Sequence, residues 1–373
     1  MQKLLLVANV SKEHIRKFHI PFILRLRSMG WQVDVACRLD EPIPECDNAY
    51  DLPCDRNPFK GGITKSVGIL KEIIGRNGYT IVLCNTVVGS IIARLAAETF
   101  RKNGLKVIYL NHGLHFFPGA PTSRWVMGYP VEKMLASKTD VLITINKTDF
   151  TTARKYFKIK SVEKIHGMGV ELHRFKNSNP TDEQKAMDKI MFGFKSDDFL
   201  LCNVAEINSN KNQKMLIKML LLLRKNVPNA KLLLIGPEHD GGRLRRLIAK
   251  NQLQDDVLLL GWRNDVPSLL QIADVYVASS KSEGLPINII EAMASGLPVV
   301  ASRNRGHIDL IENEVNGCLV DLNDYQDMAT KVLKLHDNAL FRQSIIACAQ
   351  GSVKQYEKQV TLTELCEIVL RHA

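Results

Sequence analysis

Two glutamates, Glu283 and Glu291, stand eight positions apart in the stretch SKSEGLPINIIEAMASGLPVVAS, residues 280–302. DVYVASS (274–280) just before it is a short apolar run of strand length, so Glu283 falls on the loop at that strand's carboxyl end. IIEAMASG has helical spacing closed by Gly296, and LPVVAS (297–302) is the next strand. A carboxylate on such a loop can hold sugar hydroxyls. The backbone of Gly284, Leu285, Pro286, Ile287 and Asn288 leads into the positive end of the helix, where a pyrophosphate is favoured. Glu291, about one turn inside, can accept hydrogen bonds from the two hydroxyls of a ribose. One carboxylate for a sugar, a helix end for phosphate and a second carboxylate for ribose describe a nucleotide-sugar site.

The elements that must hold this pattern alternate along the whole chain. In the first half the apolar runs are KLLLVAN (3–9), QVDVAC (32–37), TIVLCN (80–85), KVIYLNH (106–112), DVLITIN (140–146) and VEKIHGMG (162–169). Helical patterns such as HIPFILRLRSMG lie between them. The second half repeats the plan with FLLCNVAE (199–206), AKLLLIG (230–236), DVLLLG (256–261), DVYVASS, LPVVAS and GCLVD (317–321). Short apolar runs alternating with helices predict βαβ units and parallel sheets covered on both faces. The reading is two doubly wound, Rossmann-like α/β domains facing a central cleft, with ligands beyond the carboxyl ends of the strands. Polar GVELHRFKNSNPTDEQ (169–184), with Pro180, reads as the linker. The boundaries are 1–169 for the first domain, joined by a terminal crossing helix at about 356–373, and 170–355 for the second.

A chain of 373 residues suits two cores better than one. Its composition, 45% hydrophobic and 24% charged, is that of an ordinary globular protein. MQKLLLVANVSKEH is too short in apolar residues for a signal peptide, and no run of 18 uncharged apolar residues occurs. Eight cysteines without a C-x-x-C pair read as reduced thiols, several inside strands, which points to the cytoplasm. The net charge of +11 lies in the first half: 25 Lys+Arg against 14 Asp+Glu over 1–169, and 25 against 25 over 170–373. A basic half invites an anionic partner such as a phospholipid surface, a pyrophosphate-linked lipid or nucleic acid. Helix-turn-helix, zinc and RNA-binding signatures are absent, which argues against nucleic acid.

The stretch around Glu283 and Glu291 closely resembles the E-x7-E motif of retaining glycosyltransferases of family 4, with the GT-B fold. GWRNDVPSLLQIADVYVASSKSEG looks like that family's approach to the motif; Asp265 is expected to cap the next helix with Pro267 in its first turn. The resemblance implies that the base binds near Trp262 and Arg263. IHGMGVELHRF (165–175) is similar to the family's interdomain segment. NHGLHFFPGAPTSRWVMGYPVEKMLASKTDVLITINKTDF (111–150) resembles a branch acting in bacterial capsular and exopolysaccharide assembly, where His112 is expected near the donor sugar. Phe116 and Phe117, with His115, Trp125 and Tyr129, read either as an acceptor- or lipid-facing loop or as aromatic anchors of a partly buried one. Ser11, His14 and Arg16 of the first loop, ANVSKEHIRKFH, which lacks the Gly-Gly of many relatives, are the other acceptor-side candidates. The terminal helix is placed on the first domain by the same resemblance.

One departure is chemical. Family members commonly carry an Arg and a Lys after the first strand of the second domain, to neutralise the departing diphosphate. In VAEINSNKNQ Lys211 fits the lysine, but Glu206 stands where the arginine is usual. Glu206 must therefore point away or be paired, and Arg303, Arg305 or a residue of the first domain takes over. The resemblance implies transfer with retention from a UDP-linked or other nucleotide-diphosphate sugar to a lipid-pyrophosphate-linked saccharide. The protein would work in the cytoplasm, at the inner face of the membrane if the basic half binds it. In that scheme Glu283, His112 and Lys211 are the catalytic set, the acceptor attacks from the leaving-group face, and a phosphate oxygen takes the proton. No D-x-D motif occurs, so neither metal nor other cofactor is expected. The rival readings are a nucleotide-sugar 2-epimerase and a non-catalytic sugar-nucleotide-binding partner.

Overall fold

The computed structural model describes residues 1–55, 62–175 and 181–373. The chain gathers into two compact units, Met1–Gly169 with Gln359–Ala373, and Val170–Lys358. Pro180 of the expected linker lies outside the described residues.

The first unit is built on seven parallel strands: β1 Lys3–Val10, β2 Gln32–Arg38, β3 Ala49–Asp51, β4 Ile81–Asn85, β5 Lys106–Asn111, β6 Val141–Thr144 and β7 Ser161–Lys164. Their order is β3-β2-β1-β4-β5-β6-β7. Seven of the eight residues of β1 are buried, as both faces of a helix-covered parallel sheet require. The six expected strands are present, and β3 is an addition. It has three residues, none of them buried, at the sheet's edge, so its sequence carries no hydrophobic pattern. β7 stops earlier than VEKIHGMG suggests, because Gly167 and Gly169 turn at φ of 78° and 77°.

The helical pattern expected over 19–30 is an α-helix at Ile20–Ser28. A π-helix, Ser11–His19, runs into it. The helix Lys358–Arg371 buries Leu365, Cys366, Ile368 and Val369, and its Glu364 carboxylate accepts from the His166 backbone N–H at 2.9 Å.

The second unit carries six parallel strands: β8 Phe199–Val204, β9 Ala230–Ile235, β10 Val257–Gly261, β11 Val275–Ala278, β12 Val299–Ser302 and β13 Cys318–Val320. Their order, β10-β9-β8-β11-β12-β13, is the doubly wound arrangement of dinucleotide-binding folds. Leu, Val and Ile of the strands point alternately into two apolar layers, one under Ile289, Ile290 and Met293, the other under Leu216, Leu220 and Val332. All eight cysteines are unpaired and all but Cys348 are buried. Among the described residues no helix is long and apolar enough to cross a membrane.

One charge sits deep in the first unit. Arg94 is 1% exposed, pairs with Glu132 at 2.7 Å and lies 4.3 Å over the Tyr109 ring. Replacing Glu132 by Ala strands this guanidinium and should cost about 3–5 kcal/mol in a denaturant melt, whereas the double change Arg94→Met, Glu132→Leu should recover most of the loss. Equal losses in both variants would contradict the pairing.

Candidate active site

Each sheet reverses its order beside its first strand, between β1 and β4 and between β8 and β11. Loops leaving two such neighbours diverge and open a crevice at the strands' carboxyl ends.

In the second unit these are the loops after β8 and β11, and they are laced together. The Lys281 N–H donates to the Asn210 carbonyl at 2.8 Å, and the Asn210 side-chain amide donates to the Ser282 carbonyl at 3.0 Å. Ser279 Oγ donates toward the carbonyls of Lys211 and Asn212, at 2.8 and 3.0 Å. This lacing delivers Lys211 Nζ to 2.6 Å from Glu283 Oε1, with the side chains 22% and 16% exposed. Two residues 72 positions apart thus meet at the switch point.

A third loop supports them from behind. The Ser280 carbonyl accepts from Ser302 Oγ at 2.6 Å and from the Asn304 amide at 2.8 Å. Asn304 Oδ1 in turn caps the helix Arg305–Leu310 by accepting from the N–H groups of Gly306 and His307. A Cβ on Gly306 would lie 2.9 Å from Glu283 Cβ and from the Gly284 carbonyl oxygen, so only glycine lets this helix approach so closely. His307, buried, holds the Ser302 carbonyl at 2.6 Å through Nδ1, and burial lowers its pKa to about 4. Arg305 Nε donates to the Glu283 carbonyl at 3.0 Å, which puts a second cation beside the glutamate. Arg303 is turned outward to Asp321.

The helix Ile287–Ala294 starts after Pro286, and its first amides have no intrahelical acceptor by the geometry of a helix. Asn288 directs its side-chain amide to the Val204 carbonyl and the Tyr276 hydroxyl, both at 2.8 Å. Its side chain therefore pins the helix to β8 rather than facing a ligand. Glu291 is mostly buried; burial pushes its pKa up to about 7, with Arg174 pulling weakly the other way. Trp262 is 75% exposed. Asp265 does not cap its helix with its side chain, because Arg263 takes the carboxylate at 2.8 Å. Glu206 is exposed and its carboxylate accepts from the Asn208 amide at 3.4 Å, while Lys211 is engaged by Glu283 instead.

In the first unit the loops after β1 and β4 are joined through Asn9, whose Oδ1 accepts from Thr86 Oγ1 and the Gly89 N–H, both at 2.7 Å. Thr86 sits at φ 60°, a strained setting for a β-branched residue. His112 ends β5 with Nε2 3.4 Å from Asn85 Oδ1, and burial lowers its pKa to about 4. The His14 ring lies 5.1 Å from it, centroid to centroid.

Four acceptor-side candidates are engaged elsewhere. Ser11 is fully buried and ties down the next loop through Asp40, at 2.6 Å, and the Glu41 N–H. Arg16 binds the Pro42 carbonyl and Glu41. Phe116 is fully buried against Trp125, Tyr129 and Phe157, and Trp125 donates to the Phe117 carbonyl. For Phe116 and Trp125 the packing is that of anchors. Sequence reading missed Asn210, Ser279, Asn304 and Gly306; of these only Asn304, directly before a helical pattern, carries a local signal.

The raised pKa of Glu291 carries a sign. A carboxyl that titrates higher folded than unfolded stabilises the protein fully below the unfolded pKa, and the contribution is lost as pH rises toward 7. Between pH 4.5 and 7 the ligand-free protein should lose roughly 3 kcal/mol relative to Glu291→Gln. Parallel pH curves for the two proteins in urea would refute this.

Comparison with known proteins agrees with the geometry. The family model described as "Glycosyl transferase 4-like" matches residues 3–146, and "Glycosyl transferases group 1" matches residues 185–351. EpsD of Bacillus subtilis, described as a glycosyltransferase, is 36% identical over 368 residues, covering 98% of this chain and 96% of EpsD. The Escherichia coli UDP-Gal:alpha-D-GlcNAc-diphosphoundecaprenol alpha-1,3-galactosyltransferase is 27% identical over 352 residues, covering 91% of this chain and 87% of its own. Among solved structures, Anabaena HepE in complex with UDP and glucose superposes with a TM-score of 0.79 over 100% of both chains at 19% identity, a likeness of fold. With the E-x7-E stretch on the loop and helix after β11, the chain belongs to glycosyltransferase family 4, of the GT-B fold and the exopolysaccharide type.

Proposed function

We propose that this glycosyltransferase moves a sugar with retention, and without a required metal, from a UDP-linked donor to a lipid-pyrophosphate-linked saccharide in bacterial capsular or exopolysaccharide assembly. The observation that carries the reading is the Lys211–Glu283 pair at the switch point with Arg305 beside it. An entering diphosphate draws Lys211 from Glu283, and the freed carboxylate accepts hydroxyls of the donor sugar. Lys211, the helix start at 284–288 and Arg305 then meet the negative charge that grows on the leaving diphosphate. Arg305 fills the place left by the missing arginine.

The acceptor hydroxyl attacks from the face the diphosphate leaves, and its proton passes to a phosphate oxygen. Ribose hydroxyls donate to Glu291 and favour its ionised form; Trp262 and Arg263 flank the base, and His112 keeps the donor-sugar role that the family pattern implies. The donor nucleotide is supported by the UDP-Gal in the name of the Escherichia coli relative and by the UDP bound to HepE, the acceptor by that relative's diphosphoundecaprenol. The test is transfer from UDP-hexoses to a synthetic lipid-pyrophosphate saccharide, with the product read by proton NMR. The new linkage should keep the donor's anomeric configuration, and Lys211→Met should lower kcat/KM about 100- to 1000-fold. Inverted product, or an unaffected variant, would falsify this mechanism.

A lipid-linked acceptor brings the enzyme to a membrane. The helix Thr122–Ala136 exposes Val126, Met127, Val131 and Met134, at 69%, 68%, 38% and 55%, with exposed Arg124 and Lys133 among them. An apolar stripe among cations on the basic half suits an anionic bilayer surface. Co-sedimentation with vesicles rich in anionic lipid should fall several-fold in Met127→Asp, Met134→Asp and also at high salt. Equal binding to neutral vesicles would exclude the electrostatic component.

A further inference from the structure

Three imidazoles cluster in the first unit, and the sugar-transfer scheme gives a role to His112 but does not account for their meeting. One ring nitrogen from each of His14, His19 and His112 lies within 4.8 Å of the others. His14 Nε2 and His19 Nε2 are 3.2 Å apart. Two imidazole nitrogens on one tetrahedral zinc ion, each about 2.0–2.1 Å from the metal, lie roughly 3.3 Å from each other.

The backbone brings this about. His14 and His19 are five residues apart, which on an α-helix would turn them about 140° away from each other. Ser11–His19 is instead a π-helix, whose wider turn carries residues five apart onto one face. Such turns are rare and recur at functional sites. His112 reaches the same place from the end of β5.

The chemistry of the three rings suits a metal. His19 is fully buried, and with its Nδ1 lacking a hydrogen-bond partner among the described residues the ring's polar contact is made by Nε2, toward His14. Asn85 Oδ1, 3.4 Å from His112 Nε2, is the kind of acceptor that orients a ligating ring. An all-imidazole set selects zinc, copper or nickel over magnesium and calcium, and three ligands leave a fourth position for water.

We propose that His14, His19 and His112 bind one divalent transition-metal ion, zinc foremost, and that its binding inhibits transfer by withdrawing His112 from the donor sugar. The inhibition rests on the proposed function; the binding does not. Metal-free protein titrated with Co2+ should develop visible absorption bands at one ion per chain, bleached by Zn2+ and untouched by excess Mg2+. His14→Ala, at a partly exposed position, and His112→Ala should each weaken binding at least about 100-fold, with circular dichroism showing that the fold is kept. Absence of one-to-one Co2+ or Zn2+ binding by the wild type, or undiminished binding in both variants, overturns the site. Zn2+ should also stop transfer by the wild type and a chelator restore it; a metal-bound enzyme that transfers at the metal-free rate overturns the inhibition.

Discussion

The ion pair between Lys211 and Glu283 depends on two loops being held edge to edge at the place where the order of the second sheet reverses. Neither charge is fully exposed, so each needs the other until a ligand replaces it. Asn210, Ser279, Ser302 and Asn304 contribute hydrogen bonds to carbonyls rather than chemistry of their own. They satisfy backbone groups that the crevice would otherwise leave without partners, and the pair's position follows from that satisfaction. Gly306 completes the arrangement by lacking a side chain.

The two glutamates of the motif have opposite environments. Glu283 is paired with Lys211 and has Arg305 on its carbonyl, whereas Glu291 is mostly buried, with Arg174 pulling weakly against the effect of burial. A carboxyl that is easily protonated when alone, and is favoured as a carboxylate by donor hydroxyls, suits the recognition of a ribose. A carboxylate already matched to a lysine suits a role in which a diphosphate competes for that lysine. In the first unit Asn9 and Thr86 join the loops after β1 and β4, and His112, following β5, stands between Asn85 and the His14 ring.

Much of this was legible in the residues. Near-continuous apolar runs such as KLLLVAN and FLLCNVAE announce buried parallel strands because both sheet faces are covered by helices, and twelve of the thirteen strands were expected on that ground. The exception, β3, is an unburied edge strand whose pairing comes from β2 and not from its own composition. The E-x7-E spacing placed Glu283 on a loop and Glu291 on a helix, because strand, turn and helix signals are local.

What lay beyond sequence was set by packing. Asp265 looks like a cap until Arg263 takes its carboxylate, and Phe116, which the sequence left open between a ligand-facing loop and a buried anchor, is enclosed by Trp125, Tyr129 and Phe157. His14 and His19 share no face on a helix of 3.6 residues per turn, and only the π-winding brings them together with His112. Arg305 is one of several arginines in the sequence, and only the cap at Asn304 and the close approach at Gly306 bring it to Glu283. The sequence by itself determined the fold class and the glutamate motif, since both are written in short-range periodicity. Tertiary structure decided which distant side chains meet, because those meetings depend on loops whose conformation is set by hydrogen bonds between residues 70 or more positions apart.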